Sequence, residues 1–118
     1  MKRILFVLAF LLSPYQAQAG GIYDGVWQVT PSIFVTINQN GDSLAAIILQ
    51  ETIWEAQLGT LVGNEATLTT VYGWVGLTSR ITFTSGTTAN ITIVECNDGP
   101  SFTCLFPAGT LLTAIKVF

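Results

Sequence analysis

The sequence has no histidine, four basic residues and two cysteines in 118 positions, and only 9% of its residues are charged. Each scarcity excludes something. Without histidine the chain lacks the side chain that most often acts as general base, activates a serine or cysteine nucleophile, or ligates zinc. Four basic residues cannot track a phosphate backbone, so nucleic acid is not an expected partner. Two thiols do not complete a tetrahedral metal site. Asp24, Asp42 and Asp98 stand apart instead of in the spacing of a calcium loop, so neither a metal nor another cofactor is expected. The length suits one domain.

The N-terminus has the layout of a secretory signal. Met1-Lys2-Arg3 is a short positive segment, Ile4–Leu12 is an unbroken apolar run of nine residues, and Ser13-Pro14 ends it. Ala17-Gln18-Ala19 places small residues where signal peptidase requires them, so cleavage is expected after Ala19. A bilayer span needs about 20 apolar residues, so the run is too short to anchor the chain. The organisation that follows is a signal peptide over 1–19 and a single exported domain over 20–118, periplasmic or extracellular. Removing Lys2 and Arg3 takes the net charge from −3 to −5.

With so little charge, surface polarity falls to the 16 threonines and to serine, asparagine and glutamine. Threonine is β-branched and fits the solvent face of a pleated sheet. Periodicity agrees, because apolar residues recur every second position. Ile33, Val35 and Ile37 share one face. Trp54, Ala56 and Leu58 alternate with Ile53, Glu55 and Gln57, and Ala66, Leu68 and Tyr72 with Thr67, Thr69 and Val71. Ser79, Ile81 and Phe83, then Ala89, Ile91 and Ile93, repeat the pattern. After Ile93 the parity slips, as a β-bulge would make it. Asn40-Gly41 reads as a type I′ hairpin turn, and Gly63-Asn64, Ser85-Gly86 and Asn97-Asp98-Gly99-Pro100 punctuate later segments. Candidate strands fall at roughly 23–30, 33–39, 43–50, 52–58, 65–72, 78–85, 89–96 and 110–118. Short connections favour an all-β antiparallel meander, closed as a small barrel or folded as a two-sheet sandwich.

The segment 43–58 is ambiguous. Leu44 to Leu49 is continuously apolar, and an amphipathic helix through Leu58 would gather Leu44, Ile47, Ile48 and Trp54 on one face. Glu51 falls in the middle of that face, which argues for strands.

An exported chain with two cysteines is expected to pair them. A Cys96–Cys104 bridge closes nine residues and is worth about 2–3 kcal/mol in the chain-entropy account. The pair lacks the Cys-x-x-Cys spacing of a redox centre.

Catalytic chemistry has little to work with. A Ser–Lys dyad would have to recruit Lys116, and a glycosidase needs two carboxylates about 5–9.5 Å apart. Glu51 with Glu55, or Glu95 with Asp98, are the candidate pairs, and nothing in the sequence marks them as buried. No enzymatic activity is expected. The aromatic residues are the better contact candidates. Trp74 lies between glycines in Tyr72-Gly73-Trp74-Val75-Gly76, a loop that either touches a ligand or folds inward to plug the sheet. Tyr72 and Trp54 complete the expected contact set. Asn90-Ile91-Thr92 matches a glycosylation acceptor inside a strand.

Gly25-Val26-Trp27 opens the first strand of the exported domain. A Gly-x-Trp there resembles the calycins, the lipocalin and avidin barrels. The resemblance implies that Trp27 closes the barrel bottom, with Lys116 or Arg80 as its cationic partner. It rests on three residues and carries no ligand site with it. The terminal Phe118 after a strand is a feature that outer-membrane barrels share. Counting back from that residue, Lys116 interrupts the row with Ala114 and Leu112, so no membrane span is expected. The resulting expectation is an exported, non-enzymatic binding module for a small ligand or a protein or envelope partner. The alternatives are a structural envelope protein without a small ligand and, behind it, a carboxylate hydrolase.

Overall fold

The structure is a computed structural model in which residues 21–118 are described. The expected signal segment lies outside the described residues. Eight strands follow one another: β1 Gly25–Thr30, β2 Ile33–Asn40, β3 Ser43–Gln50, β4 Ile53–Val62, β5 Glu65–Tyr72, β6 Gly76–Phe83, β7 Thr88–Asn97 and β8 Leu111–Lys116. Each pairs antiparallel with the next, and β1 returns to β8, so the meander closes into a barrel instead of a sandwich. The seam is narrow. Trp27 faces Lys116 and Gln28 faces Ile115, and the chain end extends it through Val117 N–H to Val26 O at 2.8 Å and Val26 N–H to Phe118 O at 3.2 Å. The segment 43–58 is two strands, not a helix.

Turn chemistry sets the register. Asn40 pairs with Ser43, Gln50 with Ile53 and Val62 with Glu65, leaving the two-residue loops Gly41-Asp42, Glu51-Thr52 and Gly63-Asn64. In each the first loop residue has positive φ: 61° for Gly41, 52° for Glu51 and 63° for Gly63. The hairpin expected on Asn40-Gly41 is therefore centred one residue later. Glycine stands at the first central position, as type II′ geometry favours. Two bulges follow. Val71 is the extra residue where Ala56 pairs with Tyr72 but Gln57 with Thr70. Val94 is the extra residue where Thr78 pairs with Glu95 but Ser79 with Ile93, at the expected slip in parity. That second bulge keeps both Ile93 and Cys96 on the inner side.

The inner rows of β2, β6 and β7 are the expected ones: Ile33, Val35 and Ile37; Ser79, Ile81 and Phe83; Ala89, Ile91 and Ile93. Strand β4 is inverted. Glu55, Gln57 and Leu61 are buried, while Trp54 and Leu58 stand on the outer wall. Parity on β8 corrects the membrane argument as well. Ala114 is buried and Leu112 faces the interior, so Lys116 belongs to the inner row, and the outer row is Leu111, Thr113, Ile115 and Val117.

One end of the barrel is filled by large aromatics set against small residues. Trp27 is 1% exposed and meets Phe83 edge-on at 5.4 Å, and Phe83 stacks on Tyr23 at 3.7 Å. Ala46, Ala66, Ala89 and Ala114 are buried in the same core, leaving room for the rings. The Trp27 Nε1–H donates to Tyr23 O at 3.0 Å, so its polar edge is satisfied.

Candidate functional site

Toward the opposite end no buried aromatic plug occurs among the described residues, and a partly open cavity of about 90 Å³ remains. Its lining is mostly aliphatic, including Val29, Ile33, Ile48, Leu77, Ile91 and Leu112. Loop residues Val75, Leu105 and Phe106 also reach it. A cavity of about 150 Å³ lined by aliphatic and aromatic side chains holds benzene or xenon. Scaled against that cavity, the volume here suits a body of on the order of four non-hydrogen atoms.

Polar groups enter this space from the inverted strand. Gln57 is 2% exposed and held on both sides. Ser79 Oγ–H donates to Gln57 Oε1 at 3.3 Å, and Gln57 Nε2 donates to Leu77 O at 3.5 Å. Two positions nearer the loops, Glu55 is 8% exposed and lines the cavity, and its Oε2 has no hydrogen-bond partner. Burial pushes the Glu55 carboxyl above its ordinary range, and backbone hydrogen bonds from Val75 and Trp74 offset this only in part. The loop backbone sits directly on the acid: a Cβ at Gly73 would collide with the Glu55 carboxylate.

An acid whose folded-state pKa is raised destabilises the fold above its unfolded pKa. The penalty grows as pH rises toward the folded pKa and is absent below the unfolded one, where both states are protonated. Glu55→Gln is therefore expected to stabilise the domain at pH 7 by on the order of 1–2 kcal/mol. The gain should shrink on acidification to pH 4. Urea melts of both proteins at the two pH values check this, and a gain that did not shrink would contradict it.

The rim beside Glu55 is made by two loops clamped together. Cys96 and Cys104 form the expected disulfide. The loop between them brings Phe102 to Trp74, with ring centroids 5.0 Å apart. Its Gly99 lies so close to Trp74 O that a Cβ there would clash. Asp98 Oδ1 accepts from Cys104 N–H at 2.7 Å, and Gly99 N–H donates to Phe102 O at 2.9 Å, so the loop is internally tied.

The expected contact residues do not meet at the cavity. Trp74 is neither a free finger nor an inward plug: it lies across the rim against Phe102 and remains 42% exposed. Trp54 and Tyr72 stack on each other at 4.5 Å on the outer wall. The barrel-closing set divides too. Trp27 lies in the filled end opposite Lys116 in register. Arg80 instead points outward, where its Nε is 3.4 Å from Glu65 Oε1 in a half-exposed ion pair. The acid pairs considered for hydrolysis are not assembled around the cavity. Glu51 sits exposed in a turn, Glu95 accepts from Asn97 Nδ2–H, and neither lines the space that Glu55 lines. Among the described residues no cluster of three metal-ligating side chains occurs, and no helix is long and apolar enough to cross a membrane.

Glu55 is the residue that the apolar alternation of the sequence does not mark as buried. Only the turn that pairs Gln50 with Ile53, and so puts Ile48 opposite Glu55, signals its orientation. The fold and the cavity stand without relatives to lean on: no protein-family model, curated protein or solved structure matches the chain.

Proposed function

We propose that this chain is an exported, non-enzymatic binding module that takes a small, largely apolar ligand into the open half of its barrel. The carrying observation is the division of the interior, solid around Trp27 and Phe83 and hollow between the aliphatic rows and Glu55. Side chains this close-packed at one end leave a void at the other only at a cost in lost contacts, which a ligand recovers. The disulfide accords with an oxidising compartment and hence with export. The outward rows of β5, β6 and β7 carry Thr67, Thr69, Thr78, Arg80, Thr82, Asn90 and Thr92, which favours a domain outside the bilayer, since a lipid-facing band is continuous.

Xenon is a suitable probe for the cavity. Methyl NMR of the disulfide-bonded exported domain under xenon pressure should show saturable shifts at Ile33, Ile48 and Ile91. Those shifts should disappear in Leu112→Phe, which fills the space. Shifts scattered over the outer wall, or none, would leave the structural envelope reading in its place.

A further inference from the structure

We propose that the interior site selects a small primary ammonium ligand, with Glu55 as its counter-ion and the aliphatic rows holding its apolar body. This rests on reading the barrel interior as a ligand site. The argument begins with an imbalance of charge. Glu55 is more than nine-tenths buried, and its Oε2 meets no hydrogen-bond donor. Among the described residues no cation lines the cavity. Arg80 is engaged with Glu65 on the outer wall, and Lys116 lies in register with Trp27 at the filled end. A buried carboxylate without a counter-charge costs several kcal/mol unless it takes up a proton. The backbone groups of Val75 and Trp74 offset the cost of burial only in part.

The complement to that group is a positive charge carrying N–H donors. A metal cation is a poor match, because hard cations take six or more oxygen ligands and the cavity offers one carboxylate. A neutral hydroxyl satisfies one lone pair and leaves the charge unpaired. The side-chain amide of Gln57 is already committed to Ser79 and Leu77, so it does not compete for the carboxylate. A primary ammonium is compact, offers three donors, and is protonated at neutral pH, as lysine is. Its hydrocarbon part has aliphatic walls to cover it. Size restricts the class to amines with on the order of four non-hydrogen atoms in the body. The excess of acidic over basic residues in the chain draws cations toward it.

The test compares isobutylamine hydrochloride with isobutanol, which has the same branched body without the charge. Binding to the disulfide-bonded exported domain is followed at pH 7 by methyl NMR at Ile33 and Ile48, in wild type and in Glu55→Gln. The amine is expected to bind at least tenfold more tightly than the alcohol. Glu55→Gln should bring the two within twofold while keeping its response to xenon, which shows that the cavity is intact. Amine affinity to wild type should also fall as the pH is lowered and Glu55 takes up its proton. Equal affinities in wild type, an amine preference unchanged in Glu55→Gln, or exclusion of the amine while xenon enters would each overturn the ammonium assignment and leave the cavity reading standing. Exclusion of xenon as well would overturn both.

Discussion

Trp27→Ala is expected to lower the stability of the domain by about 3–5 kcal/mol, the usual range for deleting a buried aromatic side chain. Three losses coincide at this position. The ring is 1% exposed, so nearly its whole surface returns to a cavity or to water. Phe83 loses its edge-on partner at 5.4 Å, which also loosens the Tyr23 ring stacked on it. Tyr23 O loses the donor it receives from Nε1–H at 3.0 Å. The position is also structurally exposed to failure, because Trp27 pairs with Val35 on one side and Lys116 on the other, and the β1–β8 seam has only two paired positions. Domains of this size have about 5–15 kcal/mol in total. The melting midpoint should therefore fall by about 15 °C or more, using about 4–8 °C per kcal/mol. Thermal unfolding followed by circular dichroism reads this directly, and Trp27→Phe should recover more than half of the loss. A fall of under about 1 kcal/mol would mean that Trp27 does not hold the filled end together.

Much of this architecture is legible in the sequence, and the places where it is not share a physical cause. The strand β2 reads correctly because Ile33, Val35 and Ile37 alternate with polar neighbours, so only one face can be the inner one. The bulge at Val94 is visible as a break in such an alternation. Strand β3 offers no such contrast: Leu44 to Leu49 is apolar on both faces, and it passes no parity to its neighbour. Parity on β4 is then decided by the two-residue turn Glu51-Thr52, which sets Ile48 against Glu55 and Ala46 against Gln57. Hydrophobicity pointed the other way, toward an inner Trp54, Ala56 and Leu58. A buried acid and amide outweigh that pattern only where the acid faces a cavity, as Glu55 does, and the amide is hydrogen-bonded, as Gln57 is. The same logic applies to the chain end. Counting inward from Phe118 assumes that the terminal residue faces out, whereas the pairing of Thr88 with Ile115 and Ala89 with Ala114 puts Lys116 on the inner row. Local patterns failed where buried polar groups were set against hydrophobicity, and so they hid the candidate site.

The second large effect is expected from Cys96→Ser combined with Cys104→Ser. Closing a nine-residue loop restricts the unfolded chain by an amount worth about 2–3 kcal/mol, so the midpoint should fall by roughly 10 °C or more. The consequence at the rim distinguishes this bridge from a merely stabilising one. Cys96 ends the inner row of β7 opposite Leu77, and Cys104 is followed at once by Leu105 and Phe106, both of which reach the cavity. The bridge thus fixes the chain that covers the cavity, and the loop it closes fixes Trp74 through Phe102 and through the approach of Gly99. Trp74 and Val75 in turn supply the backbone donors that face Glu55. Without the bridge, amide exchange should accelerate at Val75, Leu105 and Phe106 by far more than at Val35 or Ile81, and xenon should exchange faster while still entering. Uniform acceleration across the barrel would show that the disulfide acts on global stability alone. Unchanged exchange at Val75 would show that the two loops move independently, and the chain of contacts from Cys104 through Phe102 and Trp74 to Glu55 would not operate as a unit.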